Sequence, residues 1–131
     1  MMTPEKLMEK AKEARLHSYS PYSGFKVGAA LLCSDGAVYT GCNIENSSFT
    51  PTICAERTAI FKAVYDGRRD FVAIAIVGGK EDTNVSCPPC GVCRQVMGEF
   101  CGPDFMVYFP DGNGGITQEP LSAILPHSFT L

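Results

Sequence analysis

The 131-residue sequence predicts one α/β domain spanning residues 1–131, a three-layer sandwich in which helices cover a mixed five-stranded sheet. Three observations lead to this fold class. The length suits a single compact domain with its own apolar core. An early hairpin places two strands side by side, and the rest of the chain alternates helix and strand patterns. A hairpin followed by this alternation joins antiparallel and parallel neighbours in one sheet.

The first element is a helix that opens at Thr3. Thr3 is a typical N-cap residue, and Pro4 suits the first turn because its missing N–H would have no partner there. Apolar residues continue at helical spacing, with Leu16 on the apolar side. Residues 18–24 are rich in turn formers and predict a loop.

The strands follow from apolar, β-branched runs. Residues 25–33 and 38–42 form the predicted hairpin around Asp35 and Gly36. Residues 71–77 predict a central strand that is buried on both faces. The other predicted elements are helices over 54–65 (ending near Gly67), 90–100 and 120–125, a strand over 105–109, and a brief pairing of Ile116 and Thr117.

Composition favours a small, uncharged substrate over a polynucleotide. The formal net charge is −3, and basic residues are scattered, with only Arg68 and Arg69 adjacent. Nucleic-acid binders usually carry a basic stripe. No apolar run approaches the roughly 20 residues of a membrane span, and the charged N-terminal region lacks an apolar signal segment. We therefore expect a cytoplasmic protein with no nucleic-acid or membrane partner.

The seven cysteines favour metal binding or catalysis over a disulfide framework, since their number is odd and a cytoplasmic chain would keep them reduced. Three of them form a constellation. Cys90 and Cys93 make a C-x-x-C pair at a predicted helix start, and Cys54 begins another helix with Glu56 two residues on. Three thiolates suit zinc and leave a fourth tetrahedral position for water, the pattern of a catalytic site.

Two other interpretations of these cysteines stay open. Cys87 lies three residues before Cys90 and could close a four-cysteine structural site. Alternatively, Cys90 and Cys93 could be a thiol–disulfide redox pair. Neither interpretation uses Glu56. The remaining cysteines, for which small apolar filling of the core is the simplest account, are Cys33, Cys42, Cys87 and Cys101.

The charge of the cluster also requires an explanation. Three thiolates on one divalent zinc leave a net charge of −1, which makes a bound water less acidic. Arg57 and Arg94 each follow a ligand-bearing segment directly and are the candidate cations. Surface pairing is the alternative for both.

Nearly from end to end, the sequence resembles a known family, the small homotetrameric zinc-dependent cytidine deaminases. The matching segments are CAERTAI at 54–60, PCGVCRQV at 89–96, FKVGAAL at 25–31, GCNIEN at 41–46 and LPHSF at 125–129. The resemblance implies a cytidine deaminase-like fold and one zinc ion per chain on Cys54, Cys90 and Cys93. It implies hydrolytic deamination of cytidine and deoxycytidine to uridine and deoxyuridine plus ammonia, a step of pyrimidine salvage.

The resemblance also assigns roles to individual residues. Zinc-bound hydroxide would attack C4, while Glu56 takes the water proton, delivers it to N3 and then serves the leaving ammonia. A sugar clamp would be formed by two polar residues, and further substrate contacts would come from the base-binding region and from a neighbouring subunit. These residues are Asn43 and Glu45 (sugar), Phe25 (base), Ala55 (substrate binding) and Phe129 (from the neighbour in a homotetramer).

One residue departs from the family pattern, since Phe49 stands where Tyr is frequent.

Other classes of deaminase share parts of this sequence pattern. Deoxycytidylate deaminases commonly use His-Ala-Glu where this chain has Cys-Ala-Glu, and polynucleotide deaminases need a basic groove. Blasticidin deaminase shares the Cys-Ala-Glu and Pro-Cys-x-x-Cys patterns, although residues 43–46 favour a nucleoside. A non-catalytic zinc module remains a further alternative.

Overall fold

The computed structural model describes residues 1–131, the whole chain. The elements in order are α1 (Pro4–Arg15), β1 (Lys26–Cys33), β2 (Val38–Cys42), α2 (Ala55–Tyr65), β3 (Phe71–Gly79), α3 (Gly91–Phe100), β4 (Met106–Pro110), β5 (Ile116–Pro120) and α4 (Leu121–Ile124). Thr3 caps α1, since its hydroxyl accepts the backbone N–H of Lys6 at 3.2 Å. None of these helices has both the length and the apolar character needed to cross a membrane.

The five strands form one mixed sheet in the order β2-β1-β3-β4-β5. β1 pairs antiparallel with both β2 and β3, β3 pairs parallel with β4, and β4 pairs antiparallel with β5. The parallel pair needs a crossover, which α3 supplies. β3 is the central strand, and seven consecutive residues from Ala73 to Gly79 are buried. The predicted fold class and the central position of β3 are confirmed.

Helices cover both faces of the sheet and complete the three layers. On one face, Leu7 and Ala11 of α1 pack with small apolar residues of β1 and β3. The opposite face carries the larger core, to which α2, α3 and α4 contribute Ile60, Met97 and Leu121. The two faces therefore differ in cover, with one helix against three.

Two glycines allow helices to lie directly on the sheet. A methyl group at Gly28 would come 2.0 Å from the carbonyl oxygen of Ala11 in α1. On the other face, a methyl group at Gly41 would come 2.6 Å from the carbonyl oxygen of Ala55, the first residue of α2. Both approaches are closer than any side chain permits. The start of α2, which carries Cys54 and Glu56, is therefore seated on the backbone of β2.

The C-terminal part corrects two boundary predictions. Ile116–Pro120 is a full five-residue strand, because pairing with β4 continues to Pro120 at the free edge of the sheet. Helix α4 is correspondingly shorter, Leu121–Ile124.

At the end of α1, the prediction that Leu16 lies on the apolar side was wrong, since this side chain is 73% exposed. Arg15 takes the buried position instead and donates to the carbonyls of Gly79 at 2.7 Å and Lys80 at 2.9 Å.

Candidate metal centre and active site

The cysteines of the predicted metal site stand at the N-termini of two helices. Cys54 is the N-cap of α2, and Cys90 is the N-cap of α3, both with extended backbone. Cys93 lies in the first turn of α3 and is buried. Free backbone N–H groups and the positive end of the helix dipole stabilise negative charge at such positions. At Cys54, whose pKa is lowered, the local structure thus favours the thiolate form that a metal needs.

The three sulfur atoms are spaced as a tetrahedral zinc ion requires. The Sγ atoms of Cys54 and Cys90 are 3.8 Å apart, those of Cys90 and Cys93 are 3.5 Å apart, and all three lie within 4.8 Å of one another. Zinc–sulfur bonds of about 2.3 Å at tetrahedral angles place two sulfurs about 3.8 Å apart. The residues present therefore fit zinc in donor type and in spacing. Three protein ligands is also the number that catalytic zinc sites use.

Arg57 is the cation next to this cluster. Its Nη2 donates to the Sγ of Cys54 at 3.4 Å, and its Nε is buried with no hydrogen-bond partner in the protein. The pKa of the Cys54 thiol is lowered, chiefly by its hydrogen bond with Cys93 and further by Arg57. A guanidinium at this distance offsets part of the negative charge of three thiolates.

Arg94 lies elsewhere. Its Nε donates to the carbonyl of Pro89 at 2.8 Å, and its Nη1 donates to the carbonyl of Ile124 at 2.9 Å. The side chain therefore joins the segment before Cys90 to the last helix of the chain. Of the two candidate cations, only Arg57 contacts a sulfur atom.

Cys87 is outside the three-sulfur cluster. A methyl group built on Gly78 would come 2.7 Å from the Sγ of Cys87 and 3.0 Å from the ring of Phe25, so Cys87 lies over Gly78 at the end of β3. Burial raises the pKa of the Cys87 thiol to about 12, which favours the neutral thiol. These positions do not support Cys87 as a fourth ligand.

Glu56 is the second residue of α2 and is only 4% exposed. Burial raises the pKa of its carboxyl group to about 7, and the nearby charge of Cys54 adds to the rise. A carboxylate at a helix N-terminus would ordinarily point into water, where the dipole stabilises it. Here it is buried two residues after Cys54, a member of the three-sulfur cluster. Such a group can gain and lose a proton near neutral pH, as a general acid and base must.

The segment that carries Asn43 and Glu45 runs beside the metal ligands. Ile44, between them, forms isolated β-bridges with Tyr19 on one side and with Ile53 on the other. Ile53 directly precedes Cys54. Asn43 and Glu45, the residues predicted to hold a sugar, therefore flank a residue that pairs with the neighbour of Cys54.

The other predicted substrate residues are distributed around this region. Phe25 directly precedes β1 and contacts Gly78, and Ala55 is the fully buried first residue of α2. Phe49 is 85% exposed and lines a pocket of about 220 Å³ together with Glu45. Phe129 lies in the tail beyond α4 and is 70% exposed. Contacts within the single chain thus join Arg57 to the three-cysteine cluster and Asn43 to the backbone of Phe25.

Sequence reasoning missed two serines of the preceding loop. Ser18 hydrogen-bonds to Asn43, and Ser23 hydrogen-bonds to Glu45. The only signal in the sequence was their place in a run of turn formers, where serine is common for purely local reasons. Nothing in the residue pattern separates a serine that caps a turn from one that holds a side chain 22 or 25 positions away.

The fold and the three-cysteine cluster, which is consistent with a metal site, together indicate a class of protein, the zinc-dependent hydrolases. A family model described as cytidine and deoxycytidylate deaminase zinc-binding region matches residues 1–109. The chain belongs to this cytidine and deoxycytidylate deaminase family.

Individual relatives agree with this assignment. A cytidine deaminase from Sporosarcina psychrophila is 50% identical over 98% of this chain and 93% of its own length. One from Halalkalibacterium halodurans is 52% identical over 98% of this chain and 96% of its own length. The crystal structure of cytidine deaminase from Burkholderia pseudomallei superposes with a TM-score of 0.89 at 45% identity, covering 98% of this chain and all of that one. The resemblance drawn from the sequence is confirmed.

Proposed function

We propose that this chain hydrolyses the exocyclic amino group of cytidine and deoxycytidine, giving uridine or deoxyuridine and ammonia. The observation that carries the proposal is the placement of a buried glutamate, Glu56, two residues after a ligand of the three-sulfur cluster. A structural zinc site has four protein ligands and no bound water, so a buried carboxyl group beside it would have no proton to accept. Relatives that match nearly the whole chain are named cytidine deaminases, which supports cytidine as the substrate.

Cys54, Cys90 and Cys93 would hold one zinc ion per chain, which would supply Lewis-acid activation of the attacking water. Glu56 accepts a proton from the attacking water as the water oxygen bonds to C4, and it delivers this proton to N3. Glu56 then moves the remaining proton of the new C4 hydroxyl to the amino group, so that the C4–N4 bond breaks, ammonia leaves and a carbonyl forms at C4. Its pKa of about 7 allows both directions of transfer near neutral pH. Arg57 holds the Cys54 thiolate and moderates the negative charge of the cluster.

The substrate is held by residues around the ligands. Phe25 packs against the pyrimidine ring, and the backbone at the start of α2, at Ala55, contacts the base. Asn43 and Glu45 bind the sugar. Ala55 follows Cys54 directly, and Ile44, which stands between Asn43 and Glu45, pairs with Ile53 next to Cys54, which supports these roles.

Self-association is part of the proposal. Phe129 is exposed in the single chain and would complete the site of a neighbouring copy in a homotetramer. A groove of about 510 Å³ on α2, lined by Ile44, Ile53, Phe61 and Tyr65, offers apolar surface for such an assembly. A cytoplasmic location and the lack of a nucleic-acid partner stay predictions from the sequence.

The test is the ultraviolet absorbance of cytidine incubated with the purified protein, with zinc quantified on the same sample. We expect conversion to uridine with about one zinc per chain. Deoxycytidine should react as well, whereas blasticidin S and deoxycytidylate should be poor substrates. A folded, zinc-loaded protein that converts blasticidin S and leaves cytidine intact would replace the proposal by the blasticidin deaminase alternative.

A further inference from the structure

The loop before β1 holds both residues of the proposed sugar clamp. Tyr19 donates its backbone N–H to the carbonyl of Asn43 at 3.1 Å and accepts the backbone N–H of Glu45 at 2.8 Å. Ser18 and Ser23, on either side of this crossing, reach the two side chains themselves. The side chains of Asn43 and Glu45 are thus held by fixed hydrogen bonds within the protein. The donor and acceptor positions that remain free on each side chain can therefore be counted.

The orientation of the Asn43 amide is fixed by backbone groups. The Val27 N–H can only donate, so the atom 2.9 Å away must be the amide oxygen, Oδ1. The Phe25 carbonyl can only accept, so the atom 2.8 Å away must be the amide nitrogen, Nδ2. The hydroxyl of Ser18 lies 2.5 Å from Oδ1 and donates to it. Both lone pairs of Oδ1 are then used, and a single N–H of Nδ2 remains.

The Glu45 carboxylate is counted in the same way. Its Oε1 accepts two backbone N–H groups, from Tyr22 at 2.9 Å and from Ser23 at 3.2 Å. Its Oε2 accepts the Ser23 hydroxyl at 2.5 Å. A carboxylate has about four acceptor positions and no hydrogen to donate. One acceptor position on Oε2 therefore remains.

Asn43 and Glu45 share a side of the chain. They flank Ile44, which is bridged on both sides, and alternate residues of an extended segment project to the same side. The groups that anchor them are also close in sequence, at residues 22–23 of the loop for Glu45 and at Phe25 and Val27, around the start of β1, for Asn43. The remaining N–H donor and the remaining carboxylate acceptor therefore belong to residues on the same side of one short segment.

We propose that Ser18 and Ser23 are positioning residues that set the hydrogen-bonding polarity of the sugar clamp, so that Asn43 can only donate and Glu45 can only accept. One donor paired with one acceptor is the complement of a single hydroxyl group, whose oxygen accepts from Asn43 while its hydrogen is donated to Glu45. This inference rests on the proposed function and deepens it. It assigns the clamp to one free sugar hydroxyl and excludes ethers, ketones and fluorine at that position.

The test compares parent protein and Ser18→Ala on cytidine, 2′-deoxycytidine and 3′-deoxycytidine. Removing one hydrogen bond that orients a binding group should raise KM for cytidine roughly tenfold. The kcat should change less than about twofold, since binding and not chemistry is affected. The analogue that lacks the clamped hydroxyl should already bind weakly to the parent, and Ser18→Ala should leave its KM unchanged. Ser18→Thr, which keeps a hydroxyl, should restore most of the loss.

Matched controls separate positioning from folding. Ser34→Ala makes the same chemical change at an exposed position at the far end of β1, where the side chain makes no hydrogen bond, and should match the parent on all three substrates. If Ser18→Ala does not fold, Ser23→Ala tests the same clamp through Glu45. The inference is overturned if Ser18→Ala raises KM by the same factor for cytidine and for both deoxy analogues. A zinc-loaded parent that does not deaminate cytidine at all overturns the proposed function as well.

Discussion

The two ends of the site are built in different ways. At the metal end, the three cysteines and Glu56 lie at the N-termini of two helices whose inner faces belong to the larger core. At the sugar end, Asn43 and Glu45 stand on a segment without regular structure and are held by side-chain hydrogen bonds from a loop. Reactive groups are therefore fixed by packing, whereas recognition groups are fixed by polar contacts near the surface. Variants at the metal end should change zinc content or kcat, and variants at the sugar end should change KM.

The largest effect should come from removing a metal ligand. Cys90→Ala leaves two thiolates, and we expect the purified protein to lose its zinc and its detectable cytidine turnover. Because metal binding contributes to folding stability, the melting temperature should fall as well. Elemental analysis, the cytidine assay and a thermal melt on the same sample measure all three.

Cys101→Ala is the matched control, because Cys101 ends the same helix and its thiol pKa is raised by burial to about 12. This variant should keep its zinc and most of its activity. Full zinc content in Cys90→Ala would mean that another residue completes the site, and the three-ligand assignment would then fail.

The next largest effect should separate chemistry from metal binding. Glu56→Gln keeps the shape of the side chain and removes its ability to carry a proton. We expect kcat for cytidine to fall at least about 10²-fold, the usual scale of a general acid and base. Zinc content should be unchanged, and stability should be equal or higher, because a buried ionisable group is replaced by a neutral one.

The control for this change is Glu99→Gln, an exposed glutamate on α3, which should behave as the parent. Near-normal turnover by Glu56→Gln would remove the role proposed for this residue while leaving the metal site intact. The metal end would then be a binding site whose chemistry comes from elsewhere.

A smaller effect at the same end should come from Arg57. Arg57→Gln removes the donor 3.4 Å from the Sγ of Cys54 and the charge beside three thiolates. Partners of metal ligands typically contribute about 10- to 100-fold in metal affinity. We expect a loss in that range, measured by competition with a zinc chelator. Arg69→Gln, which alters an exposed arginine hydrogen-bonded only to backbone carbonyls, should show no loss.

The same contrast explains how much could be predicted from the sequence. The fold class followed from local patterns. At the metal end, the C-x-x-C spacing at a helix start predicted the approach of Cys90 and Cys93, whereas Cys54, 36 positions before Cys90, was added as a further cysteine at a predicted helix start. The predicted burial of Leu16 was wrong because burial at the end of α1 depends on the distant carbonyls of Gly79 and Lys80, which accept hydrogen bonds from Arg15. The strand at Ile116–Pro120 was underestimated because pairing with β4, and not its own composition, extends it.

The sugar end was only partly predictable for the same physical reason. Asn43 and Glu45 could be named from a resemblance, but their orientation depends on hydrogen bonds to residues 16 or more positions away. Such contacts leave no periodic trace in the sequence. A residue supplied by another copy of the chain is harder still, since no contact within one chain reports it.

The smallest effect should therefore come from Phe129. If this ring closes the site of a neighbouring subunit, Phe129→Ala should raise KM for cytidine about tenfold, because burial of a phenylalanine side chain stabilises by about 1.5–3 kcal/mol. The kcat should change little, since no proton or metal is involved. Leu131→Ala, a change two residues further along the exposed tail, should leave KM unchanged.

Mixed assemblies decide which chain the ring serves. Phe129→Ala chains co-expressed with Glu56→Gln chains should form sites that combine an intact Glu56 with a ring from the partner copy. These sites should recover the parent KM, although neither variant alone does so. If Phe129 served its own chain, the only active sites would be those of Phe129→Ala, and the raised KM would persist at every mixing ratio. The persistence of the raised KM would place Phe129 within its own subunit.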